Sequence, residues 1–422
     1  MPANRSRRSG WRARLAKGAA AGAAAAACVV AAGCSGGGGT IGGLPTSGST
    51  ADPTASAGST ATGEPDAPTL ATPDAACVTQ VYQQLTLAQR VGQLFLVAPD
   101  SGDDIAGSQL TQAIGQYHFG NVLLPKNGDG TAALASDAAA IQALAPAATA
   151  RVKFLIAANQ EGGEIQQLTG PGFDVMPSEL VQGTWTASAL QTQAKTWGQE
   201  LSAAGVNLDL APVMDVVPQA TAASNAPIGA LDREFGYDPQ TNGEHGVAFI
   251  AGMAEAGVAS VAKHFPGLGR VIGNTDFAAN VTDTVTTADD PYLDSFRAVV
   301  NAGVPYVMVA EATYTKIDPD HLGVFSPAIM KLLRNRLGFK GVILSDDLGH
   351  AEAVAATPAA QRGIDFLAAG GDLITSQAIE PAEQMAAAVL AEANASAAFR
   401  ATVDAAARRV LAAKQAQRLL PC

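Results

Sequence analysis

Acids, bases and amides stand at the ends of short apolar runs along this chain: Asn159-Gln160-Glu161, Asp215, Lys263-His264, Glu311 and Asp346-Asp347. Residues of these types supply nucleophiles, proton donors and hydrogen-bond partners for a polar ligand. Each also has a purely structural use. Ser345, Asp346 and Asp347 can cap a following helix, Asp215 can hold a loop, and Lys263 can be a solvated rim charge. Together they exceed what capping needs, because five of eight run ends carry such groups.

The elements that must position them are legible from hydrophobic patterning. The runs are VGQLFLVAP (91–99), GNVLLP (120–125), VKFLIAA (152–158), VNLDLAP (206–212), VASVAKHF (258–265), YVMVAEA (306–312), GVILSDD (341–347) and DLITSQ (372–377), separated by Ala-rich stretches of helical length. Eight strands alternating with helices predict an α/β chain folded as a (β/α)8 barrel of the TIM type, with one catalytic domain over 77–422. A doubly wound open sheet shares the local pattern, but the count of eight and the length favour the barrel. In a barrel all the run ends open on one face, so residues distant in sequence converge. No run leads into a glycine-rich phosphate loop, and no Cys/His cluster has metal-ligand spacing, so neither cofactor nor metal is expected.

Composition bounds the function. The 422 residues are 48% hydrophobic and 15% charged, enough for a large core and unlike a disordered protein. The formal net charge is -12, and six of the cations (Arg5, Arg7, Arg8, Arg12, Arg14, Lys17) precede any acid; without the first 33 residues, 20 basic residues face 38 acidic ones. Such a chain repels nucleic acid and anionic membrane surfaces. The early cations are followed by an apolar run from Gly18 to Ala32 and then Gly33-Cys34-Ser35, the layout of a bacterial export signal over 1–33. The small residues before Cys34 resemble a lipobox, which predicts lipidation of Cys34. The protein is then exported and anchored to the cell membrane facing the wall, by the Sec or, given Arg7-Arg8, the twin-arginine route. Residues 34–76, rich in Gly, Ser, Thr, Ala and Pro, read as a disordered tether with a reach of about 35–40 Å. Cys77 and Cys422 bracket the folded region, and because the first and last elements of a closed barrel are neighbours, they are expected to pair.

At VAKHFPGLGR and GVILSDDLG the sequence resembles glycoside hydrolase family 3, in particular its single-domain β-N-acetylglucosaminidase branch. NQEGGEIQQL (159–168), LAPVMDV (210–216) and IGALDREFGYDP (228–239) extend the similarity over most of 77–422, too short for the sandwich domain of larger members. The resemblance implies retaining hydrolysis of terminal β-linked sugars, such as N-acetylhexosaminides of cell-wall glycan, with Asp346 as nucleophile. It implies that Lys263, His264, Arg233, Asn159 and Gln167 bind the sugar and that Asp215 supports the pocket floor. A carbohydrate is thus the expected partner of a monomeric enzyme.

Departures from the family pattern are equally specific. The branch reads Lys-His-Phe-Pro-Gly-His-Gly and then Asp-Ser-His, whose Asp and His form the acid/base pair; here Leu268 replaces the first loop histidine, Asp276 stands for the dyad Asp, and Ala278 holds the place of the catalytic histidine. Asn159 replaces an Asp and Gln167 an Arg. Two expectations follow. One is a glycosidase whose proton donor is Asp276 or Asp283 on this loop, ahead of Glu311 or His350. The other is a cell-wall glycan-binding lipoprotein impaired in hydrolysis.

Overall fold

The computed structural model describes residues 73–100 and 105–422. The export segment, Cys34 and the tether through residue 72 lie outside the described residues. The fold begins slightly before the boundary that composition suggests. Asp74 Oδ1 accepts from the amides of Ala76 (2.8 Å) and Cys77 (3.3 Å), so residues 75 and 76, expected in the tether, form the first turn of helix Ala75–Gln84.

Eight parallel strands close into a barrel: β1 Phe95–Val97, β2 Asn121–Leu123, β3 Leu155–Ala158, β4 Leu208–Asp209, β5 Ala259–Phe265, β6 Tyr306–Val309, β7 Val342–Asp347 and β8 Leu373–Ser376. Each pairs with its sequence neighbours and β8 pairs with β1, which is (β/α)8 topology. Every strand falls inside one of the eight apolar runs. Such runs lack alternation because a parallel strand is covered on both faces, by the packed barrel interior and by the surrounding helices. All seven residues of β5 are buried, and in β7 the one residue short of full burial is Asp346.

The opposite end of the barrel is sealed. Lys414, fully buried on helix Ala397–Ala416, donates to Gln93 Oε1 (2.7 Å) and to the carbonyls of Gly120 (2.9 Å) and Lys153 (3.1 Å), which precede β1, β2 and β3. Cys77 and Cys422 form a disulfide with their Cα atoms 5.9 Å apart, joining the first described helix to the end of the chain.

Additions to the barrel sit at the carboxyl ends of its strands. After β3 the chain makes a short antiparallel ribbon, Gln160–Gly162 with Ile165–Gln166. After β5 a long loop returns through Thr282–Asp283, which pairs in parallel with Thr313–Tyr314 beyond β6. That pairing anchors the far end of the loop that carries Asp276.

Candidate active site

The carboxyl ends of the strands surround a pocket of about 70 Å3. Its apolar floor is Leu123, Leu210 and Met308, and its polar wall includes Asn159, Arg233, Lys263, His264, Asp276 and Asp346. Six of the expected site residues therefore meet in one place.

At the end of β7 two adjacent carboxylates have different surroundings. Asp347 is buried, and its oxygens accept from the amides of Gly349 (2.9 Å), Gln377 (2.8 Å) and His350 (3.2 Å). It holds the turn after β7 against the end of β8, the structural use open to either residue. Asp346 accepts through Oδ1 from the amide of Asp347 (3.0 Å), and its Oδ2 has no partner among the described residues. With its neighbour doing the turn-holding, Asp346 lines the pocket with an oxygen to spare.

Opposite lie two cations fixed by one carboxylate. Glu161, at the ribbon after β3, takes Arg233 Nε on Oε2 (2.7 Å) and Arg233 Nη2 (2.8 Å) and Lys263 Nζ (2.5 Å) on Oε1. Burial alone would raise the Glu161 carboxyl, but the charges of Arg233 and Lys263 outweigh it and bring the pKa down to about 2. Arg233 also donates to the carbonyl of Pro227 (2.7 Å) and Lys263 to Asn159 Oδ1 (2.7 Å). A guanidinium has five N–H groups and an ammonium three, so both cations keep donors for a ligand. Asp215 is wholly buried beneath the pocket rather than in its lining. It accepts from His264 Nδ1 (2.7 Å), the amide of His264 (3.3 Å) and the amide of Leu268 (2.7 Å). Asp215 thus sets the orientation of His264, whose other ring nitrogen is left for the pocket.

The loop 267–278 is pinned by its backbone. Gly267 has φ +131° and Tyr314 Oη donates to its carbonyl (2.9 Å); at Gly269 a Cβ would lie 1.9 Å from the Val216 carbonyl oxygen. Buried Asn225 donates to the carbonyls of Leu268 (2.8 Å) and Val271 (2.7 Å) and accepts from the amides of Ile228 (3.1 Å) and Gly229 (2.8 Å). Further along, the carbonyls of Thr275 and Asp276 accept from Ala353 (3.0 Å) and Glu352 (3.2 Å) on the segment following β7. These bonds hold Asp276 in the pocket wall. Although Asp276 is exposed at the surface, partial removal of its carboxyl from water raises it above the ordinary value, and the charge of Asp346 raises it further, against Arg233, His264 and Lys263.

The remaining candidates separate by their surroundings. Asp283 is fully buried and closes a turn, accepting from Val285 N, Thr286 N and Thr286 Oγ1 at 2.7 Å each, so it is no longer a free acid. His350 is exposed and outside the lining. Glu311 is completely buried with both oxygens unpartnered among the described residues; burial, then the charges of Asp346, Asp347 and Asp276, push its carboxyl well above the usual range, so it is a buried neutral acid. Gln167, expected among the sugar contacts, is not among the residues lining the pocket; its backbone amide donates to the carbonyl of Asn159 (3.1 Å). Ala278 packs against the core.

Sequence reasoning noted Glu161 at a strand end but gave it no role, and its charge between two distant cations had no local signature. Thr375 and Gln377, also in the lining, were visible as polar residues ending the eighth run. Buried Glu179 and Asp209 each use one oxygen on a strand-end amide, Val213 (3.0 Å) and Gln160 (3.0 Å); burial raises both carboxyls well above their usual values.

The model of the glycosyl hydrolase family 3 N terminal domain matches residues 86–413. A beta-hexosaminidase of Xanthomonas campestris pv. campestris (strain B100) is 34% identical over 264 residues, covering 60% of this chain and 76% of that one. The crystal structure of a beta-N-acetylhexosaminidase from Beutenbergia cavernae DSM 12333 is similar with 48% identity and TM-score 0.74, covering 78% of this chain and 98% of that one. A glycoside hydrolase family 3 beta-N-acetylglucosaminidase from Paenibacillus sp. str. FPU-7 is similar with 28% identity and TM-score 0.70, over 79% of this chain and 63% of that one.

Proposed function

The chain belongs to glycoside hydrolase family 3 and is a β-N-acetylhexosaminidase-like glycosidase, and from that premise we propose that it hydrolyses terminal β-linked N-acetylhexosaminides of cell-wall glycan with retention. Asp346 is the nucleophile and Asp276 the acid/base. In the first step an Asp346 oxygen bonds to the anomeric carbon as the glycosidic C–O bond breaks, and Asp276 gives its proton to the departing oxygen. In the second, Asp276 takes a proton from water as that water attacks the anomeric carbon and frees Asp346. Arg233, Lys263, Asn159 and His264 hold the ring hydroxyls.

The observation that carries this reading is the division of labour at the end of β7. Asp347 is consumed by three backbone amides, Asp346 keeps a free oxygen in the pocket, and the Asp276 carboxyl is raised by partial desolvation and by the charge of Asp346 itself. Asp346→Asn is nearly isosteric, so the protein should fold normally and lose turnover, and a 2-fluoro sugar with a good leaving group should label the Asp346 peptide. Tight glycan binding by wild-type protein with no turnover would establish the binding-lipoprotein reading instead.

Lipidation of Cys34 and display at the membrane are part of the same proposal, supported by the small residues before Cys34 and the tether composition after it. Wild-type protein should partition with membranes and Cys34→Ala should not. Equal solubility of the two would refute the anchor.

A further inference from the structure

We propose that Thr375 recognises the substituent on C2 of the sugar, its hydroxyl bonding the amide of an N-acetyl group whose methyl lies on the apolar floor. The inference rests on the reading of Asp346 as nucleophile and names what sets the preference for an N-acetylated sugar. Thr375, on β8, lines the pocket and is 3% exposed.

The strand register turns its side chain inward. Leu123 pairs through Ala157 of β3 with Leu208, two residues before Leu210. Leu208 pairs with Ala259, and Val261, two further along β5, pairs with Tyr306, two before Met308. Met308 pairs through Leu344 of β7 with Leu373, two before Thr375, and Thr375 pairs through Leu96 of β1 with Asn121, two before Leu123. The circuit closes on itself. It is one interior layer of a (β/α)8 barrel, to which alternate strands each give one inward side chain. Three members of this layer are the apolar floor of the pocket, and the fourth carries a hydroxyl.

That hydroxyl is idle in the fold. The Thr375 amide donates to Ser345 Oγ (2.9 Å) and its carbonyl accepts from the amide of Leu348 (3.0 Å), while its buried Oγ1 has no partner among the described residues. A valine of the same shape would fill the position with no polar atom left unpaired, so the hydroxyl is a cost to the fold that a ligand's polar group removes. It also stands beside the reacting centre. Thr375 is register-paired with Asp347 and its amide is held by Ser345, so it flanks the strand end that carries Asp346. With Asp346 at the anomeric carbon, the group on C2 is the substituent nearest to what surrounds the nucleophile. An N-acetyl group is one amide and one methyl, and the layer offers one hydroxyl among three apolar side chains.

The test compares kcat/KM for the nitrophenyl β-glycosides of N-acetylglucosamine and of 2-deoxyglucose, which share a leaving group and differ at C2. If the 2-deoxyglucoside turns over too slowly to measure, inhibition by free N-acetylglucosamine and free 2-deoxyglucose gives the same comparison. Thr375→Val should lower the ratio of N-acetyl to 2-deoxy about tenfold, equivalent to about 1.4 kcal/mol, without lowering the melting temperature, and Thr375→Ser, which keeps the hydroxyl, should bring the ratio back toward wild type. A ratio unmoved in Thr375→Val, whether or not both rates fall together, would overturn the assignment while leaving the glycosidase reading intact. Absence of wild-type turnover on both glycosides would overturn both.

Discussion

The two aspartates ending β7 show how neighbouring identical side chains acquire different work. Three buried hydrogen bonds to backbone amides make Asp347 a structural residue, so Asp347→Ala should cost about 2–4 kcal/mol in denaturant unfolding, while Asp346→Asn should change stability by less than about 1 kcal/mol. Glu161 is the second case. Its carboxyl sits near 2 in the folded protein against 4.5 ordinarily, so its contribution to stability is fully present above about pH 4.5 and is lost as pH falls toward 2. Glu161→Gln leaves two buried cations uncompensated and should cost about 3–5 kcal/mol while flattening that acid limb. Glu311 has the opposite sign. Its proton is retained in the fold but lost from the unfolded chain above its ordinary value of 4.5, so it weakens the fold progressively as pH rises. Glu311→Gln should therefore raise the melting temperature more at pH 8 than at pH 4. The identity of Asp346 was legible from Ser-Asp-Asp at a strand end. That Asp283 is spent on a turn was not, because its partners, Val285 and Thr286, look like ordinary loop residues.

At the scale of elements, the site depends on how the loop after β5 is tied down. Asn225 bridges it to the segment after β4 with four hydrogen bonds, and Asp215 ties its first residues beneath the pocket. Asn225→Ala should cost about 2–3 kcal/mol and lower kcat/KM more for a disaccharide than for an activated aryl glycoside, since it frees the segment carrying Asp276. Asp276→Ala should reduce disaccharide turnover by about 10²–10⁴-fold, with a smaller loss for a leaving group that departs unaided. Because the Asp276 carboxyl is raised, proton donation should survive to higher pH than an ordinary aspartate allows and then fall as pH rises through its value. A pH profile of disaccharide turnover with no alkaline limb attributable to Asp276 would count against the assignment. The resemblance puts a histidine at position 278, yet Ala278 packs on the core and Asp276 faces the pocket, a distinction that spacing along a loop does not carry.

Across the whole molecule, the Cys77–Cys422 bond closes a separation of 345 residues. In the chain-entropy account a loop of that size is worth on the order of 5 kcal/mol, and less where the unfolded chain keeps structure. Reduction, or Cys77→Ala with Cys422→Ala, should lower the thermal midpoint by roughly 5–10 °C without changing kcat, since the bond lies with the terminal helices and not with the pocket lining. An unchanged midpoint would show that the packing of helix Ala75–Gln84 against helix Ala397–Ala416 suffices alone.

The sequence by itself determined the barrel, because each strand of a closed parallel sheet is buried on both faces and must be written as a continuous apolar run, and eight such runs are countable. It determined the cysteine pair, since a closed barrel brings its first and last elements together, and it marked Asp346, Lys263, His264 and Asp276 through motifs at strand ends. Only the tertiary structure decided what each polar residue does. Glu161 became the clamp on Arg233 and Lys263, Asp347 the turn-holder, Gln167 a backbone contact and Glu311 a neutral acid. Those roles are set by distance, burial and the count of available hydrogen-bond partners, and Glu161 meets Arg233, 72 positions on, and Lys263 only after the strands have closed.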